Sequence, residues 1–278
     1  MSRIPFGVRR LDSTIGGGAP PGSLVLLSGE AGAGAREFMY TAALMNALSE
    51  VSPDLFDLYY GDIASGAAAA EDVHYVSFTS QEGQIRGEME RALDEEIVED
   101  AGPGLTFHDL SAEYFRLSPV PREWYSSRTT TIDGLGADGD RSSVPAALGD
   151  VLTEYAPGNL VVIDSLTDLI SAADEDLAWH EVPQLLKGIS RAAYEWGGLL
   201  LVHLNHETLT DSEHGQLVDA TDGTLLFEWE VGGSSRARTL VVRQFRGILS
   251  HIEEENIVQF ETEIGDAGFD ISDVRKIR

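Results

Sequence analysis

The sequence predicts an α/β fold in which a mostly parallel sheet is covered by helices on both faces and ends in antiparallel strands. Short apolar runs at residues 23–28, 159–164 and 198–204 are typical of parallel strands that are buried on both faces. Segments with helical patterning separate these runs, and an alternation of strands and helices favours a parallel sheet. Beyond residue 223 apolar and polar residues alternate, which predicts antiparallel strands that extend the sheet.

The remaining elements follow from local patterns in the chain. Residues 36–48 are predicted to be helical because their apolar residues recur at helical spacing. In chain order we further predict a Gly/Pro-rich loop at 16–22, a loop-like insert at 54–71, a strand at 73–78, a charged helix at 84–98, a strand at 105–110, helices at 144–155 and 177–196, antiparallel strands at 223–231, 238–246 and 257–264, and a hairpin turn at 232–235.

We expect residues 1–278 to form a single domain with one long surface excursion at residues 111–142. The chain is 42% hydrophobic, which is enough to build a sizeable core. It has no cysteine, so disulfides, thiolate catalysis and cysteine metal sites are excluded. No long apolar run and no export signal are visible, so we expect a cytoplasmic protein without a membrane span.

The chain is strongly acidic, with 47 acidic and 19 basic residues and a formal net charge of −28. Two of the basic residues are lysines, Lys187 and Lys276. Such a composition resembles that of haloarchaeal proteins, in which a Debye length of roughly 3 Å at 1 M salt screens self-repulsion. The charge makes nucleic acid an unfavourable partner without excluding it, since acidity of this kind reports the solvent rather than the ligand.

A glycine-rich loop follows the first predicted strand and precedes the first long helix. It has the glycines of the pattern G-x-x-x-x-G-K-[ST], whose backbone N–H groups wrap phosphates. Ala35 stands at the lysine position, and Arg36 stands where a Ser or Thr hydroxyl would bind Mg²⁺. Because one charge-assisted hydrogen bond is worth roughly 1.5–3 kcal/mol, loss of the lysine weakens triphosphate binding by about 10- to 150-fold. The loop therefore predicts either a weakened phosphate site or a structural turn. The candidate cofactor-binding residues are Gly29, Glu30, Ala31, Gly32, Ala33, Gly34, Ala35 and Arg36.

A carboxylate ends the clearest buried strand of the chain. Asp164 follows the apolar run at residues 160–163, and ligands of parallel sheets bind in the crevice at the carboxyl ends of the strands. In P-loop ATPases such a carboxylate orients Mg²⁺. Asp164 is therefore the candidate metal-binding residue, with a simple turn-capping role as the alternative.

Several segments together resemble the KaiC-like members (KaiC, RadA and GvpD) of the RecA superfamily of P-loop ATPases. Their order and spacing cover most of the chain outside residues 54–71 and 111–142. The resemblance implies a RecA-like three-layer α/β/α fold, ATP or ADP with Mg²⁺ as cofactor, and a degenerate Walker A motif. The segments are Gly7–Asp12, Gly16–Gly18, Pro21–Ser23, Val161–Leu169, Leu200–His203 and Arg243–Gly247.

The resemblance also implies catalytic groups that this sequence lacks. Thr79 and Ser80 replace the glutamate that activates water in the family. Two basic residues of the family's Lys-x-Arg-Gly strand reach the phosphates of a neighbouring subunit; here Gln244 replaces the lysine, while Arg246 is retained as a cofactor-binding candidate. Together with Ala35, these losses point to a pseudo-ATPase that acts through contacts with a protein partner or a KaiC-like relative, in a homo- or hetero-oligomer.

Two other functions stay open at this point. A working ATP hydrolase would use Arg36 and Glu82 in place of the missing groups, and Glu82 is the one candidate catalytic residue. A DNA-associated paralogue of RecA or RadA is the second, and binding of single-stranded DNA at high salt would favour it.

Three histidines lie close together in the sequence, at the end of the third apolar run and after it. His203, His206 and His214 do not match the H-E-x-x-H spacing of a zinc protease. We interpret His203 as a strand-end residue near the crevice and the other two as loop residues, rather than as metal ligands.

Aromatic and arginine residues alternate in the excursion. They are expected first to pin the excursion to the body of the protein, next to dock a protein, and last to stack on single-stranded nucleic acid. The residues are Tyr114, Phe115, Arg116, Arg122, Trp124, Tyr125 and Arg128.

Overall fold

The computed structural model of the protein describes residues 2–125, 143–176, 178–232, 235–246 and 257–276. Nine strands form one sheet in the order β3-β2-β4-β5-β1-β6-β7-β8-β9. The first six strands in this order run parallel to one another, and β7, β8 and β9 each pair antiparallel with the strand before them. The strands are β1 Ser23–Gly29, β2 Val73–Ser77, β3 Leu105–Asp109, β4 Leu160–Asp164, β5 Leu199–Asn205, β6 Gly223–Gly232, β7 Ser235–Phe245, β8 Ile257–Gly265 and β9 Gly268–Lys276.

Helices cover both faces of the sheet, as the predicted α/β class requires. In the described part of the chain no helix is long and apolar enough to cross a membrane. The helices are α1 Arg9–Thr14, α2 Ala35–Val51, α3 Pro53–Tyr59, α4 Glu82–Ala92, α5 Glu95–Ala101, α6 Ser111–Tyr114, α7 Val144–Tyr155, α8 Leu166–Asp176, α9 Glu181–Trp196 and α10 Asp211–Ala220.

The alternation of side chains along the parallel strands divides the core into two layers. In β4, Val162 faces the layer that contains α2, whereas Val161 faces the layer that contains α7, α8, α9 and α10. In β1, Leu27 likewise faces the layer of α2, and Leu26 faces the opposite layer. Because both faces are covered, these strands are apolar throughout, which is why their sequences predict parallel strands without an alternating pattern.

The predicted strands at the centre of the sheet and the helix at residues 144–155 are confirmed, but several other elements differ. The segment at 54–71 is not wholly a loop, because Pro53 opens α3 and Phe56 is buried by it. The charged helix predicted at 84–98 is two helices, since Asp94 caps α5 by accepting a hydrogen bond from the N–H of Glu96. The long helix predicted from residue 177 begins at Glu181.

The predicted antiparallel strands at the C-terminal end of the sheet are confirmed as β6, β7 and β8, which pair antiparallel in that order, with some differences in detail. Strand β6 is antiparallel to β7 but parallel to β1, so it belongs to the parallel part of the sheet. Gly232 pairs with Ser235, as a hairpin requires, while residues 233 and 234 lie outside the described residues. Helix α8 and strand β9 were not predicted at all, because α8 directly follows an apolar strand and the apolar residues of β9 are few.

Candidate functional site

The carboxyl ends of β1, β2, β4 and β5 meet at one edge of the sheet, where a cavity of about 460 Å³ opens. This is the edge at which parallel sheets bind ligands, and the volume is in the usual range for a ligand pocket. The glycine-rich loop forms one wall, as predicted. The lining residues are Gly29, Glu30, Ala31, Gly32, Gly34, Ala35, Arg36, Glu37, Thr79, Ser80, Gln84, Glu88, Ser165, Thr167, Asp168, His203 and Asn205.

The backbone of the loop is shaped by two glycines with positive φ. Gly32 has a φ of 74° and Gly34 a φ of 108°, which other residues adopt only with strain. A Cβ on Gly34 would lie 2.9 Å from the ring of Phe269 in β9, so the C-terminal hairpin supports the loop from behind. The backbone N–H groups of Gly34, Ala35 and Arg36 have no acceptor in the described part of the chain, and they open helix α2.

Side chains of β6 and β7 hold the carbonyl side of the same loop. The indole N–H of Trp229 donates to the carbonyl of Ala31 at 3.1 Å, and Nε of Arg238 donates to the carbonyl of Gly32 at 3.1 Å. The guanidinium of Arg238 also lies 4.7 Å from the centre of the Trp229 ring. The N–H of Ala31, in contrast, donates to a carboxylate oxygen of Glu207 at 2.9 Å. The loop is therefore held by contacts within the protein.

Arg36 crosses the cavity to the end of β4. Its Nη2 lies 3.3 Å from Oδ1 of Asp164, and its Nη1 lies 3.8 Å from Oε2 of Glu88. Among the described residues that line the cavity, Arg36 is the one Lys or Arg side chain. The two carboxylates raise the pKa of Arg36, although its burial alone would lower it. The cation that the loop provides is thus already paired with anions of the protein.

Asp164 is buried and is surrounded by partners. Its Oδ2 accepts a hydrogen bond from the Tyr75 hydroxyl at 2.8 Å, and its Oδ1 lies 3.5 Å from Nδ1 of His203. Burial alone would raise the pKa of Asp164, but His203, Arg36 and Tyr75 outweigh it and hold the pKa below its usual value. Asp164 is therefore a charged carboxylate whose lone pairs are directed at protein groups.

Two further acidic residues complete this wall of the cavity. Glu88 accepts a hydrogen bond from the Tyr40 hydroxyl at 2.8 Å. Asp168 accepts one from the Ser165 hydroxyl at 2.7 Å, and its pKa is raised by burial and by the charge of Asp164, despite that hydrogen bond. Burial, with the charge of Asp164, also raises the pKa of Tyr40 and of Tyr75.

Comparison with solved structures identifies the fold. The KaiC-like protein PH0186 from the hyperthermophilic archaeon Pyrococcus horikoshii OT3 matches with a TM-score of 0.62 over 98% of this chain and 99% of that chain, at 17% sequence identity. The fold is KaiC-like and of the RecA type. No protein-family model and no curated protein matches the chain by sequence.

In this KaiC-like fold, the predicted catalytic positions fall at different places. Thr79 and Ser80 line the cavity, where the water-activating glutamate was expected. Glu82 does not line it, because it opens α4 with an exposed carboxylate that pairs with Nε of Arg86 at 2.8 Å. The structure therefore does not bring Glu82 and Arg36 together at the cavity.

Arg246 lies at the opposite end of the sheet from the glycine-rich loop. It pairs with Asp222, just before β6, at 3.0 Å, and lines a second cavity of about 690 Å³ beside the amino end of β1. Gln244 is close by, with its amide 3.5 Å from the carbonyl of Thr221. Neither residue reaches the loop of its own chain.

A RecA-type fold implies a bound Mg²⁺, and the residues at the end of β4 do not fit one. Mg²⁺ needs about six oxygen ligands at close to octahedral geometry, usually including a loop hydroxyl in P-loop proteins. Here Arg36 replaces that hydroxyl and places a cation against Asp164. In the described part of the chain, no three His, Asp or Glu side chains form a group suited to a metal.

The histidine group divides between two places. His203 contacts Asp164 at the crevice, as its strand-end position predicted. His206 and His214 stack with ring centres 5.1 Å apart, and both bond the hydroxyl of Ser28 in β1, at 3.1 and 2.8 Å. The prediction that both are loop residues is wrong for His214, which lies on α10.

The excursion is described as far as residue 125. Tyr114 packs against the core layer of α7 and α8, and Phe115 contacts the rings of Tyr114 and Tyr125 at 4.8 and 5.4 Å. This agrees with the expectation that aromatic residues pin the excursion to the body. Trp124 is 73% exposed, and Arg128 lies outside the described residues.

Sequence reasoning did not identify three residues that shape the cavity. Tyr75 is a core residue of β2 by its pattern, and only the pairing of β2 with β4 brings its hydroxyl to Asp164. Glu88 is one of several acidic residues on α4, with nothing to distinguish it. Asp168 could have been found from the sequence, because it follows Asp164 closely in the chain and lies in the first turn of α8.

Proposed function

We propose that this protein is a KaiC-like regulatory protein whose ATP hydrolysis is impaired and which acts through contacts with other proteins. The observation that carries the proposal is that Arg36, the one Lys or Arg side chain among the described residues that line the cavity, is already paired with Asp164 and Glu88. A γ-phosphate needs cations that are free to stabilise its developing charge. Ala35 supplies none.

The charge of the cavity supports the same proposal. Four lining side chains are acidic, namely Glu30, Glu37, Glu88 and Asp168. A triphosphate would have to enter beside them with no lysine to offset the repulsion. The free N–H groups of the loop leave room for weak nucleotide binding, so ATP or ADP would act on the protein's contacts rather than as a fuel.

We propose further that the partner is a protein, either a KaiC-like relative or a second copy of this chain, in a ring or a smaller assembly. Arg246 supports this part, because it lies far from its own loop and on a face where another subunit could receive it. The acidic composition supports a salt-rich, haloarchaeal setting for these contacts.

The working ATP hydrolase is the weaker candidate. It needs Glu82 at the cavity, and Glu82 is exposed and paired with Arg86 instead. DNA association has no supporting feature in the described residues beyond the fold type, and fold type alone does not carry a function.

The test is ATP turnover by the whole chain in concentrated KCl, compared with Asp164→Asn and with the double variant Ala35→Lys, Arg36→Thr. We expect no turnover above buffer for the wild type and for Asp164→Asn. We also expect nucleotide binding, measured by calorimetry, to strengthen by about 10-fold or more when the lysine and hydroxyl are restored. Wild-type turnover that is lost in Asp164→Asn would refute the proposal.

A further inference from the structure

Both oxygens of the Asp164 carboxylate lie against protein groups. One oxygen faces Arg36 at 3.3 Å and His203 at 3.5 Å, and the other accepts the Tyr75 hydroxyl at 2.8 Å. The side chain of Asp164 is only 8% exposed and is not among the residues that line the cavity, whereas Arg36 lines it. A cation that approaches from the cavity therefore meets the guanidinium first.

The position of Arg36 in the loop explains this arrangement. It is the second residue of α2, where the G-x-x-x-x-G-K-[ST] pattern places a metal-binding hydroxyl. A Ser or Thr at this position brings an oxygen towards a cation at the end of the strand that carries the carboxylate. Arginine at the same position brings the cation itself, because its longer side chain spans the distance to Asp164 and Glu88.

The guanidinium also has the charge and the donors that this place requires. Asp164 is a buried carboxylate, and a buried charge must be paired or it is costly. Arg36 stays charged at all accessible pH values, donates a hydrogen bond to Asp164 and forms an ion pair with Glu88. A divalent cation bound here as well would lie next to the positive charge of Arg36. It would also have to share the carboxylate of Asp164 with that arginine.

We propose that Arg36 is a built-in cation that takes the place of the divalent metal, so that the crevice at Asp164 is held in its arrangement by arginine and binds no Mg²⁺. The inference deepens the proposed function and rests on the same site. It concerns the metal alone, whereas the proposed function concerns turnover and protein contacts.

Mn²⁺, which is paramagnetic, is the probe for the test, with binding followed by electron paramagnetic resonance in about 2 M KCl, where surface charges are screened. Wild type and Asp164→Asn should give the same isotherm, which reports only weak surface carboxylates. Arg36→Thr, which restores the hydroxyl, should gain one site at least about tenfold tighter than those, and Arg36→Thr, Asp164→Asn should lose it. Arg36→Lys, which keeps a cation, is the matched control and should gain none.

Two results would overturn the inference: a wild-type Mn²⁺ site that disappears in Asp164→Asn, or no new site in a folded Arg36→Thr. Because Arg36→Thr can fail to fold, the thermal midpoint of the wild type is measured with MgCl₂ and with KCl at equal ionic strength. Equal midpoints support the inference, and a rise with MgCl₂ that Asp164→Asn abolishes contradicts it.

The outcomes separate this inference from the proposed function. ATP turnover by the wild type in the presence of a chelator would refute the proposed function and leave the inference intact. An Asp164-dependent Mn²⁺ site without turnover would refute the inference and leave the proposed function intact.

Discussion

At the scale of single residues, Asp12 shows how burial can make one carboxyl control the pH dependence of stability. It is 1% exposed, and it accepts hydrogen bonds from the N–H of Phe6 at 2.8 Å and from the Tyr60 hydroxyl at 3.1 Å. Burial raises the pKa of Asp12 to about 7, against the effect of these hydrogen bonds. The folded protein therefore binds a proton here that the unfolded chain has already lost above about pH 4.

The sign of the effect follows from this difference. Between about pH 4 and 7 the folded state binds more protons than the unfolded state, so the contribution of Asp12 to stability falls as the pH rises. We expect Asp12→Asn to remove this part of the decline, which is at most on the order of 4 kcal/mol. The measurement is the free energy of unfolding from denaturant titrations at several pH values.

Asp57→Asn, an exposed change on α3, is the control and should leave the slope unaltered. Equal slopes for the wild type and Asp12→Asn would contradict the prediction. The absolute stability of Asp12→Asn is not the test, since an amide in this place can lower stability at every pH.

Residue by residue, the site was predictable where backbone geometry decides and unpredictable where side chains cross between elements. The glycines at 29, 32 and 34 located the loop, because Gly32 and Gly34 adopt positive φ values that few other residues adopt, and a Cβ on Gly29 would meet the Cβ of Ala35. The direction of Arg36 was predictable only in part, since helix geometry turns it away from the lysine position. Its pairing with Glu88 depends on how α4 packs, and no local pattern encodes that.

At the scale of elements, the hairpin of β8 and β9 supports the loop from across the core layer. The ring of Phe269 lies 5.3 Å from that of Phe38 in α2, and the N–H of Phe269 donates to the Thr41 hydroxyl at 2.9 Å. Gly268 precedes it with a φ of 89°, and a Cβ there would collide with Thr41 and Leu93. The hairpin can therefore approach α2 this closely only with glycine at 268.

This close approach gives a prediction with a control in the same turn. Gly268→Ala should destabilise the protein by roughly 2–4 kcal/mol, because it combines a strained φ with a collision against the core. Gly265→Ala should change stability by less than about 1 kcal/mol, because a Cβ there meets nothing within 4 Å. Thermal or denaturant unfolding measures both, and equal losses in the two variants would show that the packing argument is wrong.

The elements that the sequence predicted best are those that are buried on both faces. Strands β1, β4 and β5 are short and apolar throughout, and such runs leave few alternatives to a central parallel strand. The errors in helix bounds lie where helices adjoin other elements. The break between α4 and α5 depends on the cap at Asp94 and on a hydrogen bond from its N–H to the carbonyl of Asp266, which is distant in sequence.

At the scale of the whole molecule, the net charge of −28 opposes the compact state through self-repulsion. Asp164 is buried but its partner Arg36 is 45% exposed, so salt screens this pair only in part, whereas the exposed acidic residues are screened strongly. Added KCl should therefore stabilise the fold mainly by weakening repulsion between surface carboxylates. A gain of about 3 kcal/mol between dilute and molar KCl would raise the Tm by roughly 6–12 °C.

Salt also strengthens hydrophobic burial, so a variant must separate the two effects. Replacing four exposed acidic residues with neutral amides, in the combined variant E50Q, E90Q, E99Q and D150N, removes charge and leaves the core unchanged. We expect this variant to unfold at a higher temperature than the wild type in about 0.1 M KCl, and at the same temperature in about 2 M KCl, because the Debye length shrinks below the spacing of surface charges. If the Tm values of the wild type and the variant differ by the same amount at every KCl concentration, or do not differ at all, KCl acts on the core rather than on the surface charge. The acidity would then not govern the stability of the fold.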